Sequence, residues 1–322
     1  MMLSRRDFAK IAAAGLPAWR LPAAGLNSVV NGVHLGTITY SFRDFPRTPG
    51  KDNVDDIIAA LRYCGIGEIE LFSPNIEPAG KPLPPEQPVP YGVPRPPRAQ
   101  RSAEQIALQK QNRDDLRRWR IETGDDYYRA VRARFDAAGI SIFAYTMNYN
   151  DSFTDEEIDA TFRQAKALGV GIIATSISLS MAQRVAPFAN RHDTLVAVHG
   201  HSRVKDPNQL STPETFAKAL AMSKNYRVNL DIGHFTAANC DAVAYIRENH
   251  AVITHIHVKD RRRNDGTNEQ FGEGDTPIKE VLQLLKREHY PIRAFVEYEY
   301  AGLRSSRDEV KHCMEYMRAA LA

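Results

Sequence analysis

The chain has 322 residues, of which 43% are hydrophobic and 25% charged, a composition that supports one large core and excludes a disordered or fibrous protein. The formal charge of +3 arises in the first 26 residues, where Arg5, Arg6, Lys10 and Arg20 face only Asp7; the remainder carries 38 basic and 38 acidic side chains. A near-neutral domain lacks the basic stripe that duplex DNA binding needs, so no nucleic acid partner is expected.

Residues 4–26 read SRRDFAK followed by IAAAGLPAWRLPAAGL. The paired arginines, the phenylalanine two residues on and the mild alanine-rich run resemble a twin-arginine export signal, which implies an exported, periplasmic protein. An ordinary basic helix and a cytoplasmic protein are the alternative. Residues 1–26 are therefore set apart from a single domain over 27–322. No run of about 18 apolar residues occurs, so no membrane-spanning helix is expected. Cys64, Cys240 and Cys313 are too few and too dispersed for a disulfide framework, which suits a protein that folds before export.

Beyond the leader, apolar strand-like runs alternate with amphipathic helical stretches. The runs are VHLGTITY from Val33, GEIELF from Gly67, ISIFAYTM from Ile140, VGIIATSI from Val170, TLVAVHG from Thr194, YRVNLDI from Tyr226, VITHIHV from Val252 and IRAFVEY from Ile292. Helices begin after Asn53 and Thr154, both good N-caps, and Gly65, Gly139 and Gly169 stand where left-handed C-caps want glycine. Eight such units predict an α/β fold, a (β/α)8 TIM barrel.

One segment breaks the pattern. Ten prolines fall between Pro74 and Pro97, a density incompatible with a helix or a central strand. Residues 73–125 are read as an insertion after the second strand: this Pro-rich stretch, then a charged helix, with the second barrel helix following up to Arg134. The Pro-rich part lies on the side where barrel active sites form, as a lid, as a contact in a homo-oligomer, or as an ordered surface loop without a catalytic part.

The chemistry-bearing residues cluster at strand ends. The fifth to eighth runs finish in VAVHGH, LDIGH, HIHVKD and VEYEY, each a source of metal-ligand types. Asp231 ends the sixth; a buried carboxylate there needs a cation, a metal or local donors. His255 and His257 share one face of the seventh, as Glu297 and Glu299 do after the eighth, because the strand period is two. His257 ends the seventh strand, and of the two glutamates only one need be a ligand: Glu297, directly after the apolar run AFV, is preferred over Glu299. His199 is preferred over His201 as ligand, with substrate hydrogen bonding as the other role. The metal set is thus His199, Asp231, His257 and Glu297, with His201, His234, His255 and Glu299 as substrate-binding candidates. Glu70, ending EIELF, is a candidate acid or base or a salt-bridge partner, and Lys259 stabilises a developing oxygen charge or is solvated. The run Arg261 to Arg263 reads as solvated charge.

These motifs resemble the xylose-isomerase-like barrel superfamily, the sugar phosphate isomerase/epimerase group, which includes ketose 3-epimerases, inosose dehydratases and relatives of apurinic endonucleases. The resemblance runs from Val33 to the end. It rests on LDIGH with Asp231 and His234, HVKD with His257, FGEGD at 271–275, and Glu297. It implies one divalent ion, of the Mn, Zn, Co, Fe or Mg kind. The glutamate ligand of the fifth strand in ketose epimerases is His199 here, and some exported relatives with a histidine in this strand resemble enzymes acting on 3-keto-glycosides.

The expected function is a metal-dependent sugar isomerase or epimerase, with Glu297, Glu70 and Lys259 as catalytic candidates and proton transfer through a metal-bound enediolate. The alternatives are a lyase or hydratase on a 3-keto-glycoside or other oxidised sugar, and a carbohydrate-binding barrel without turnover. No glycine-rich phosphate loop is evident, so the expected partner is a non-phosphorylated sugar or derivative.

Overall fold

A computed structural model describes residues 25–82 and 101–322. The leader residues 1–24 and the Pro-rich residues 83–100 lie outside the described residues. Strands β1 (Val33–Ile38), β2 (Glu68–Phe72), β3 (Ser141–Thr146), β4 (Ile172–Ser176), β5 (Leu195–His199), β6 (Tyr226–Asp231), β7 (Ile253–Val258) and β8 (Arg293–Val296) form one parallel sheet. Each pairs with the next, and β8 pairs with β1 through Ala294↔Leu35 to Val296↔Thr37, which closes the barrel. All eight lie within the runs read from sequence, shorter by a residue or two at the ends.

The helices around the barrel are α1 (Val54–Cys64), α2 (Ala103–Glu122), α3 (Asp125–Ala137), α4 (Asp155–Ala167), α5 (Leu179–His192), α6 (Pro213–Leu220), α7 (Ile232–Ala237), α8 (Ala242–Asn249), α9 (Ile278–Glu288) and α10 (Ser306–Leu321). Thr154 and Glu157 cap α4 reciprocally, and Gly65, Gly139 and Gly169 take φ of 65°, 72° and 70° as expected of left-handed caps. Asn53 is the N-cap position of α1, but its side chain accepts instead from Asn75, and Asp52 takes the Val54 N–H. The main core packs apolar strand faces against the inner faces of these helices.

The insertion has an ordered frame. Pro74 sits in a short 3-10 turn, Ser73–Asn75, where proline fits because its ring suits a first-turn position. Helix α2 has no fully buried residue. Arg120 ties it down, bonding Glu77 at 2.7 Å and Glu157 at 3.4 Å, while Arg117 reaches Glu157 at 2.8 Å.

Inside the barrel the rings of Phe143, His255 and Phe295 form one layer, with centroids 5.5 to 5.7 Å apart. Gly36 makes room for it, since a Cβ there would stand 2.7 Å from the Phe295 ring and 2.2 Å from the Glu68 carbonyl oxygen. This layer plugs the lower barrel, and the polar side chains stand above it at the C-terminal mouth.

Candidate active site

Successive inward positions on a strand are two residues apart; His199, Asp231 and His257 take such positions at the ends of β5, β6 and β7, and Glu297 directly follows β8. One ligand atom of each lies within 4.8 Å of all the others. Asp231 and His257 are also register partners across β6 and β7. His199 Nε2 stands 3.5 Å from Asp231 Oδ2 and 3.7 Å from Glu297 Oε2, and His257 Nδ1 stands 3.0 Å from Glu297 Oε2. The sequence thus builds a four-donor centre from four neighbouring strand ends.

The LDIGH motif has a second, structural function. Asp231 Oδ1 accepts the His234 N–H at 2.7 Å and caps α7, leaving Oδ2 for the centre. Gly233 lets this turn pass the end of β7: a Cβ there would meet the Lys259 carbonyl oxygen at 2.7 Å. The HVKD and FGEGD motifs also meet. The buried Asp260 carboxylate accepts the N–H groups of Gly272, Gly274 and Thr276 at 2.8, 3.0 and 3.1 Å, folding that loop beside the mouth.

Glu70 is fully buried on the floor. Its Oε2 lies 2.7 Å from Nε2 of both His255 and His257, and Thr146 donates to Oε1. A carboxylate accepts, so His257 carries hydrogen on Nε2 and turns Nδ1 to the centre. Burial alone would lower the His257 pKa; Glu70 and Glu297 outweigh it and hold the ring up at about 10. Burial likewise pushes Glu70 up, and the two imidazoles overcome it, keeping the carboxyl well below its usual range.

Lys259 is buried with its Nζ 2.7 Å from Glu299, 3.0 Å from Glu297 and 3.2 Å from Asp231. Burial opposes its charge, but these three carboxylates raise its pKa above the usual lysine value. Neither His199 Nε2 nor Asp231 Oδ2 makes a hydrogen bond, although both are buried. A buried polar atom left so costs roughly 1–3 kcal/mol unless a ligand engages it, a cost that the Lys259 charge offsets in part at Asp231. Two imidazoles and two carboxylates converging on one point, with buried donor atoms that make no hydrogen bond, fit a divalent cation of the Zn, Mn, Fe or Co kind.

A cavity of about 320 Å³ opens above this centre. His199, His201, His234, His257, Glu297, Glu299 and Glu70 line it. His201 packs edge-on to His199 and His234; burial, with the charge of His199 and Lys259, presses its pKa down to about 3. His255 does not line the cavity: it lies beneath, fully buried between Phe143, Phe295 and Glu70. Arg261, read as solvated, is instead 8% exposed and hydrogen-bonded to His234 and Ser202, whereas Arg262 and Arg263 are exposed. Lining residues that sequence reading missed include Tyr40, Phe72, Asn148, Ser176 and Asn229. Parity was the available signal: Tyr40, Phe72 and Asn148 each lie two residues beyond an inward-facing Ile38, Glu70 or Thr146.

A closed parallel barrel with an acid–imidazole centre at the C-terminal mouth defines an enzyme-type α/β barrel. A family model described as xylose isomerase-like TIM barrel matches residues 105–320, and the chain belongs to that family. No curated protein matches it in sequence. Among solved structures it resembles the probable 3-DHS dehydratase AsbF from Bacillus anthracis, at 15% identity over 88% of this chain and 97% of that one, with a TM-score of 0.57. It also resembles 3-keto-D-glucoside 4-epimerase YcjR from E. coli (11% identity, 89% and 99% covered, TM-score 0.56). A third is a sugar phosphate isomerase/epimerase from Parabacteroides distasonis (14%, 94% and 98%, 0.54). At these identities the likeness is one of fold.

Proposed function

We propose that the barrel is a divalent-metal-dependent enzyme that moves a proton on a non-phosphorylated sugar or sugar derivative, as an isomerase or epimerase. The convergence of His199, Asp231, His257 and Glu297 beneath the cavity, with His199 Nε2 and Asp231 Oδ2 buried and without a hydrogen bond, carries this reading. These four residues would hold the ion, and a divalent cation in that place supplies Lewis acidity toward adjacent carbonyl and hydroxyl oxygens. Glu70 orients His257 from behind. Lys259, its Nζ held by Glu297 and Glu299, offers a fixed positive charge to an oxygen that gains electron density. Glu297 and Glu299 bring carboxylates to the cavity wall as proton acceptors, and His201, kept neutral, serves as a hydrogen-bonding group.

One feature of the lining bears on the stereochemistry. Among the described residues, the wall formed by β2 to β4 presents Phe72, Thr146, Asn148, Thr175 and Ser176, and its one carboxylate, Glu70, is committed to two histidines and Thr146. The groups able to take a proton thus gather at the ends of β5 to β8. That favours removal and return of a proton on one face, as in isomerisation, or elimination from an oxidised sugar such as a 3-keto-glycoside. It disfavours an epimerase with matched bases on opposite faces. A lyase is therefore the second reading. Export from the cytoplasm is part of this proposal, and the paired arginines Arg5 and Arg6 support it.

Incubation in heavy water with a panel of ketoses and 3-keto-glycosides, with and without chelator, tests the proposal. Chelator-sensitive deuterium uptake into intact sugar supports isomerisation, release of the C1 substituent supports elimination, and no uptake or release on any substrate contradicts both.

A further inference from the structure

The buried Arg261 belongs to a small hairpin, Asp260–Arg261 paired with Asn268–Glu269. Its turn uses Asn264 and Asp265 at φ of 60° and 55°, the left-handed pair that tight hairpins need. The turn folds Gly266 back so that its carbonyl oxygen accepts from Arg261 Nε at 3.1 Å and from Nη2. Ser202 Oγ accepts from Nη1 at 2.7 Å and itself donates to Asp265. A guanidinium gripped in this way has one direction left for Nη1, and there it stands 2.7 Å from His234 Nδ1.

A guanidinium only donates, so His234 Nδ1 must offer its lone pair, and the ring then carries hydrogen on Nε2. That Nε2 lies 3.2 Å from Lys259 Nζ, a second obligatory donor while charged. The two cannot bond each other. Of the two only His234 lines the cavity, because the ammonium of Lys259 is buried and its three hydrogens face Glu299, Glu297 and Asp231.

We propose that Arg261 is a positioning residue: it fixes the His234 tautomer so that the imidazole presents Nε2–H, a donor, to an acceptor oxygen of the substrate, a carbonyl oxygen of a keto sugar. The substrate part rests on the sugar reading above; the tautomer part does not. Arg261 itself touches no substrate. Its effect passes entirely through the imidazole.

Nitrogen NMR of the uniformly 15N-labelled full chain tests this near neutral pH, with His234 signals identified by their loss in His234→Gln. The expected spectrum shows Nδ1 as an unprotonated nitrogen and Nε2 bearing hydrogen. Arg261→Met, which removes the donor, is expected to give a mixture of tautomers, and Arg261→Lys to restore Nε2–H. A wild-type His234 protonated on Nδ1, or an unchanged tautomer in Arg261→Met, overturns the assignment; if Arg261→Met does not fold, the wild-type spectrum decides. On any keto sugar that exchanges deuterium, Arg261→Met should lower kcat roughly tenfold or more with KM changed less, and Arg261→Lys should recover it. A purely structural residue would lower Tm and leave kcat per folded molecule unchanged. Absence of exchange on every sugar would remove the substrate reading and leave the NMR result to stand or fall alone.

Discussion

Glu70 Oε2 stands 2.7 Å from His257 Nε2, on the opposite edge of the imidazole from Glu297, which lies 3.0 Å from Nδ1. One ring is thereby held between two carboxylates on two sides of the barrel. The rear carboxylate fixes which nitrogen faces the centre, and the front one shares the centre with it.

Glu70→Gln should weaken metal binding. An amide in that place can turn its NH2 toward His257 and lose the tautomer preference, so affinity falls by about 10- to 100-fold. Competition against a fluorescent chelator measures it. An unchanged affinity would mean that Glu70 does not orient His257.

Metal affinity should rise with pH. Burial lowers and the two carboxylates raise the His257 pKa, to about 10 in the cation-free protein. Below that value Nδ1 carries a proton that a cation must displace. Affinity is therefore expected to climb by up to about tenfold per pH unit through the neutral range, each binding event releasing a proton, and to level off near pH 10. Calorimetry in buffers of different ionisation enthalpy counts the protons. Zero release at pH 7 would show that Nδ1 is already free.

Arg120→Ala should destabilise the fold without touching the cavity. Arg120 is nearly buried between Glu77 and Glu157, and removing it leaves both carboxylates buried with fewer partners. Breaking such a pair costs on the order of 3–5 kcal/mol; here Arg117 still reaches Glu157, so the lower end is expected. Urea unfolding of the variant reads the loss, and a change under about 1 kcal/mol would mean that α2 is held by other contacts.

Asp260→Ala should loosen the FGEGD loop. Three N–H groups lose one carboxylate, and the variant is expected to lose on the order of 3 kcal/mol and to show faster amide exchange at Gly272, Gly274 and Thr276. Protected amides at all three positions would contradict this role.

The barrel was legible because each strand is a short apolar run stopped by glycine or a polar residue, and because left-handed caps need Gly65, Gly139 and Gly169. His199, Asp231, His257 and Glu297 were legible as strand-end residues. Depth was not. His255 and His257 share a face, but two residues along a strand are about 6.6 Å of travel, enough to move His255 from the mouth into the layer of Phe143 and Phe295. Arg261 was hidden for a different reason: three consecutive arginines look solvated, and only the turn at Asn264–Asp265 and the carbonyl of Gly266, which the run itself does not announce, bury the first of them. Asp52 displaced Asn53 as the cap donor's partner because Asn53 is drawn to Asn75 from the loop after β2, a contact across 22 positions.

The most direct test of the four-residue centre is metal content. The purified chain, loaded with Mn or Zn and freed of loose ions, should hold one divalent ion per molecule by elemental analysis, and Asp231→Ala and His257→Ala should hold none while remaining folded. Full metal occupancy in either variant would contradict the site.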